Sequence, residues 1–203
     1  MGARISGRDR QMRQRIAQEA ARVMAEEGVR DYYAAKRKAA LHLGAPDTQN
    51  MPRNTEVHEA LEAYQRLFRA DSQPECLMAL RRAARQAMVF LERFQPRLVG
   101  SVLSGSADAH SDVNLHLFAD TPEEVALFLM ESNIPFESAE RRLRLNREEG
   151  RDFPVYRFMA GDHPVELTVF PVDGLRQAPR SALDGKPMRR ANLAALEELL
   201  AGQ

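Results

Sequence analysis

The stretch LVGSVLSGSADAHSDVNLHLF, Leu98 to Phe118, decides the fold. Its first part belongs to RLVGSVL, an apolar run that reads as a strand. A loop of small residues follows. The chain then alternates, with Val113, Leu115 and Leu117 on one face of a second strand and Asp112, Asn114 and His116 on the other. Gly100-Ser101 sits at the end of the first strand and Gly105 in the loop. Small residues there let backbone N–H groups approach an anion such as a triphosphate. Asp112 and Asn114 lie two apart, so both side chains leave the same face. Two carboxylates in those places would hold a divalent ion, and Mg²⁺ suits oxygen ligands and phosphates. The second place holds an amide.

Working outward, the pattern stays that of an α+β chain. TPEEVALFLMESN is a helix with Thr121 as N-cap, Pro122 at its first position and Glu123 and Glu124 in its first turn. RRLRLNRE, FPVYRFMA and HPVELTVF are three strands, with turns at Glu149-Gly150 and Gly161-Asp162. In the last of them Glu166 alternates with Val165, Leu167 and Val169, so it can face the same side as Asp112 from an adjacent strand. A loop rich in Pro and Gly leads to a final helix, ANLAALEELLAG. The sheet is mixed or antiparallel.

Before Pro96 the chain reads as helix. QRIAQEAARVMAEEG places Ile16, Ala20, Val23 and Met24 on one face and stops at Gly28. VRDYYAAKRKAALHLG has Tyr33, Ala40 and Leu41 at helical spacing. After the loop APDTQNMPRN, Asn54 or Thr55 caps a helix with Val57, Leu61, Tyr64 and Phe68 as its apolar stripe. In the fourth helix Leu77, Leu80, Ala84, Met88 and Leu91 face inward. Residues 1–96 are therefore expected to form a helical lobe and residues 97–203 an α+β domain with flanking helices.

The 203 residues are enough for one large domain or two small ones, and the 44% apolar share is enough for a buried core. No apolar run approaches the roughly 18 residues of a membrane helix, and the first residues lack the apolar segment of an export signal. A cytoplasmic protein with no membrane partner is the expectation. Met1-Gly2-Ala3-Arg4-Ile5-Ser6 fits the spacing for myristoylation, a short match. Cys76 is a single cysteine, which excludes an internal disulfide and a cysteine metal cage. Residues 1–98 carry 18 basic against 12 acidic residues, and residues 99–203 carry 11 against 17. Either the two halves dock on each other or the basic half meets something anionic.

The combination Gly100-Ser101, Gly105 and Ser111-Asp112-Val113-Asn114 resembles the signature of the polymerase-β-type nucleotidyltransferases, the minimal nucleotidyltransferases above all. Their pattern is Gly-Ser, ten residues, Asp-x-Asp, and a third acid on a later strand; the spacing here agrees position for position, and the resemblance covers roughly residues 98–170. The resemblance implies a nucleotidyltransferase-like mixed sheet. It implies that Gly100, Ser101, Gly105 and Asn114 lie on the nucleotide and that Asp112 and Glu166 are the catalytic, metal-holding carboxylates. Mg²⁺ would be the cofactor of an active site, and an NTP its substrate.

Two departures bear on activity. Asn114 brings no charge to the second acid position, and Val102 and Ser104 stand where the family often has basic residues. Both remove charge that acts on phosphates. Two classes therefore stay open. One is a divergent transferase moving NMP from an NTP to an acceptor. The other, which the departures favour, is a degenerate module whose transfer is weakened or lost. Such a module binds nucleotide, RNA or a protein partner, with the basic helical lobe supplying contacts.

Other residues carry double readings. His116 is a metal ligand, a proton donor or a hydrogen-bonded half-buried histidine. Asp108 and His110 replace the lost acid or serve turn chemistry. Arg141, Arg142, Arg144 and Arg147 bind phosphate or RNA, or solvate an edge strand. LDGKPMRR offers Lys186, Arg189 and Arg190, and its Gly-Lys pair lacks the glycine-rich approach of a Walker loop. Tyr32 and Tyr33, beside Lys36, Arg37 and Lys38, suit nucleic acid or a helix with one tyrosine inside and a basic outer face.

Overall fold

Helix α1 (Gly7–Glu27) opens the described chain; the computed structural model describes residues 7–68, 73–145 and 150–202. The myristoylation match at residues 1–6, Arg147 and the Glu149 half of a turn lie outside them. The chain divides into two compact units, Met1–Gln73 with Ala182–Asp184, and Pro74–Ser181 with Gly185–Gln203.

The first unit holds α1, α2 (Tyr32–His42) and α3 (Asn54–Phe68). Ile16, Ala20 and Val23 of α1 are buried against Ala35, Ala39 and Ala40 of α2 and Val57 of α3. The inward face of α2 is thus made of alanines, which let its backbone come close to α1. Of the expected stripe only Ala40 is buried; Tyr33 and Leu41 are exposed. Tyr32 shares the alanine face, three residues before Ala35, and turns inward to His58 Nδ1 at 3.1 Å. In α3, Val57 and Leu61 are buried, but Phe68 is exposed. Its cap is Arg53, not Asn54 or Thr55: Arg53 N donates to Glu56 Oε2 at 2.6 Å. The Asn54 amide instead accepts from Lys36 Nζ and donates to Ala182 O.

The second unit begins with α4 (Gln73–Phe90), so the break between units falls before that helix and not at Pro96. The reason is its apolar stripe. Leu77, Leu80, Ala84, Met88 and Leu91 share one core with Leu98, Leu115, Leu117, Leu167 and Leu196. The sheet contains β1 (Arg97–Val99), β2 (Val113–Phe118), β3 (Glu137–Arg144), β4 (Gly150–Ala160) and β5 (His163–Phe170) in the order β1-β2-β5-β4-β3. It is mixed, as β2 and β5 run parallel and the other pairs antiparallel. Flanking it are α6 (Pro122–Glu131), where the expected N-cap Thr121 forms a capping box with Glu124, and α7 (Leu193–Ala201).

One local expectation fails. RLVGSVL is a strand only through Val99; Gly100–Ser104 forms a single helical turn, α5. Gly100 has φ +76°, a left-handed conformation that turns the chain out of the sheet.

The sheet has two unlike faces. Val113, Leu115, Leu117, Val165, Leu167 and Val169 point into the main core. The opposite face carries Asn114, His116, Glu166 and Thr168. Phe118, Phe153 and Phe170 close that face at one end as a small cluster with Leu143, Leu145 and Leu175. Among the described residues, no helix is long and apolar enough to cross a membrane.

Candidate functional site

The polar face of the sheet brings most of the expected residues together. Asn114 of β2 is the register partner of Val99 on one side and Glu166 on the other. Adjacent strands lie about 4.8 Å apart, and paired residues project to the same face. Gly100 follows Val99 directly, and a Cβ placed on it would sit 3.7 Å from Asn114 Nδ2. Val99, Asn114 and Glu166 thus form one row, with Gly100 beside Asn114. Asp112 lies one step before that row, just outside β2, and its carbonyl accepts from Asn114 Nδ2 at 3.1 Å. The amide at position 114 therefore also braces the backbone at Asp112.

Ser101 lies in α5, where its carbonyl accepts from Gly105 N at 2.9 Å. Gly105, at φ +91°, caps this turn in the left-handed conformation. Arg81 of α4 lies under it. This arginine is buried, donates from Nε to Val102 O, and burial lowers its pKa. Asp108 is buried in a turn of its own, where its Oδ1 accepts from His110 N at 2.9 Å and from Ser111 Oγ at 3.3 Å. That is Asx-turn geometry.

Glu166 departs most from the family pattern. Its carboxylate is only 4% exposed and lies between two guanidiniums. Arg157, its register partner on β4, donates from Nε to Oε2 at 3.0 Å. Arg141 of β3 donates from Nη2 to Oε2 at 2.8 Å, and its Nη1 pairs with Oε1. Oε2 thus accepts from both arginines, and Oε1, which accepts no hydrogen bond, lies in ion-pair contact with Arg141 Nη1. A carboxylate held this way is no open ligand for Mg²⁺, and a divalent ion beside it would meet two positive charges. Together with the amide at position 114, this leaves a donor set that does not fit a two-metal centre. Among the described residues, no three His, Cys, Asp or Glu side chains are grouped to share a metal ion.

The next row is occupied by His116 and Thr168, which are also register partners and both buried. His116 Nδ1 accepts from Arg190 Nε at 3.0 Å, and its ring lies 4.6 Å from that of Phe170. Burial, with the charges of Arg190 and Arg141, pushes the His116 pKa down to about 3, so the ring is neutral at neutral pH. It acts as an acceptor for Arg190. Arg190 also donates to Gly174 O at 2.7 Å and lies 5.0 Å from the ring centres of Phe118 and Phe170. Burial and the nearby Arg97 lower its pKa to about 10. It stays a cation at neutral pH.

Arginines thus dominate this face: Arg141 and Arg157 share one carboxylate, and Arg190 leans on a neutral histidine. Of the described arginines in RRLRLNRE, only Arg141 contributes. Arg142 points to the other side and pairs with Asp152 at 3.1 Å, and Arg144 is exposed on that same opposite parity. Lys186 and Arg189 are exposed. Arg157 was missed in the sequence. Its signal was there: it is the one charge inside FPVYRFMA, placed where alternation sends it to the polar face. No protein-family model and no curated protein matches the chain.

Proposed function

We propose that this is a nucleotidyltransferase-like protein that binds a nucleoside triphosphate without transferring NMP, and that arginines take over the charge role that Mg²⁺ has in the active family. The observation that carries this reading is the clamp of Arg141 and Arg157 on Glu166. Three carboxylates gather cations, whereas this row offers a single acid held by two arginines. Such a face attracts the phosphates directly, since guanidinium groups donate in a fork that matches phosphate oxygens. The glycine turn at Gly100-Ser101 leaves room for the chain to come near them. Asn114, without charge, brings no repulsion to an anion that arrives without a metal.

Calorimetry with the four NTPs, in EDTA and in Mg²⁺, tests this, with pyrophosphate release measured in parallel. Binding as tight in EDTA as in Mg²⁺, weakened in Arg157→Gln, retained in Asp112→Ala and unaccompanied by pyrophosphate, is expected. Mg²⁺-dependent binding lost in Asp112→Ala, with pyrophosphate released, would establish the alternative, an active divergent transferase. No binding of any NTP at millimolar concentration would remove nucleotides from the account altogether.

A further inference from the structure

The helical unit holds a concavity of about 300 Å³ that the sheet site does not involve. Its floor is one face of α2, where Tyr33, Lys36 and Arg37 fall at the i, i+3 and i+4 spacing that places side chains together. Its wall is the loop after α2, with Asp47, Thr48 and Met51. The volume is at the lower end of the roughly 300–1,000 Å³ usual for small-ligand sites.

Three features of the lining are unusual together. Tyr33 is a large aromatic left 66% exposed, while its neighbour Tyr32 fills the core position. Among the described residues, Lys36 Nζ binds only neutral oxygens, Pro52 O at 3.1 Å and Asn54 Oδ1 at 2.8 Å, and no carboxylate pairs with it. Arg37 is held loosely. Its Nη1 reaches Tyr33 Oη at 3.4 Å, and its guanidinium carbon lies 5.9 Å from the ring centre, the outer limit of a cation–π contact. By contrast, Lys38 on the same helix is paired with Glu27. Asp47 is the acid of the lining, so the pocket keeps an excess of positive charge.

We infer that this pocket binds a nucleotide unit: a base stacked on Tyr33, its phosphate on Lys36 and Arg37, and its sugar hydroxyls accepted by Asp47. A nucleotide joins a flat π-surface to an anion, which is the pairing the lining offers. An acidic peptide would leave the Tyr33 face unused, and a lipid surface would ask for more apolar area than Met51 and Tyr33 give. The same chemistry comes from a free mononucleotide or from one residue of a single strand.

The test uses the full chain. Fluorescence anisotropy with a labelled single-stranded RNA 12-mer and calorimetry with 5′-AMP are run on wild type, Tyr33→Ala, Tyr33→Phe and Arg37→Gln. Tyr33 and Arg37 are exposed, so these variants keep the fold, which circular dichroism checks. Tyr33→Ala should weaken binding about tenfold or more, and Tyr33→Phe should retain it. Arg37→Gln should lower the slope of log affinity against log salt by about 0.7 for a single strand. Lys38→Gln, on the same helix but paired with Glu27 and outside the lining, should change neither result. Binding of 5′-AMP that depends on Tyr33 assigns a free nucleotide; dependence seen only with the 12-mer assigns a strand. Wild-type affinity in Tyr33→Ala, or no binding of either probe, overturns the inference.

Discussion

At the scale of single residues, the charge state of Glu166 governs the sheet face. A buried carboxylate is costly unless cations and hydrogen bonds replace its water. Arg141 and Arg157 do so here, and their own side chains are 40% and 49% exposed. Glu166→Gln should therefore cost about 2 kcal/mol, less than for a fully enclosed pair, because the two guanidiniums can rehydrate. Removing one arginine leaves the other in place and should cost about 1 kcal/mol. Removing both strands the carboxylate, so Arg141→Gln with Arg157→Gln should cost more than the two single changes added. Urea unfolding of the four variants measures this directly. A neutral or stabilising Glu166→Gln would mean that the acid is kept for something other than this clamp. The alternation in HPVELTVF already told on which face Glu166 lies. It could not tell that two arginines from separate strands would reach it, because that depends on strand order, which a single sequence does not encode locally.

Local elements differ in how openly the sequence displays them. β2 was legible because its alternation is strict and one face is fully buried, so register and burial agree. α6 was legible because its cap is local chemistry, with Thr121, Pro122 and Glu124 within four residues. α5 was hidden. Gly100-Ser101-Val102-Leu103 continues the apolar run of β1, and only a left-handed glycine breaks it. α2 misled for a related reason: two adjacent tyrosines compete for one inward position, and packing against α1 gives it to Tyr32. The Gly100 turn makes a prediction of its own. A Cβ there meets only ordinary contacts, with the nearest atom at 3.7 Å, so Gly100→Ala suffers backbone strain and no clash. Its cost should be about 1–2 kcal/mol, and Gly100→Asn should cost less, since asparagine tolerates this conformation. Thermal unfolding of the pair checks it. A cost much above that range would show that the turn serves a tighter contact than strain accounts for.

Across the whole chain, the charge contrast between sequence halves loses much of its force once the units are drawn. Residues 74–98, with five arginines against Glu75 and Glu92, supply half of the first half's basic excess, yet they belong to the sheet unit. The two units should instead be told apart by acid. In the helical unit Glu19 accepts from Arg22 and contacts His42, and these bonds hold its pKa at about 2 against an ordinary 4.5. Arg13 likewise lowers Glu56. A depressed carboxylate adds stability that is complete above its unfolded pKa, so this contribution is lost only as pH falls from about 4.5 toward 2. In the sheet unit the sensitive group is His116, faced by Arg190 and Arg141 and held at about 3 against 6.5. Its unfolded form takes up a proton below pH 6.5 while the folded form does not. Stability therefore falls with pH from about 6.5 down to 3, at up to about 1.4 kcal/mol per pH unit. Between pH 6.5 and 5, the strands around His116 should lose protection while α1 to α3 keep theirs. Native-state hydrogen exchange, corrected for intrinsic rates, resolves the two units. His116→Gln, which retains an acceptor for Arg190, should flatten the response of the strands and leave that of the helices unchanged. Equal loss in both units over that interval would place the acid-sensitive group elsewhere.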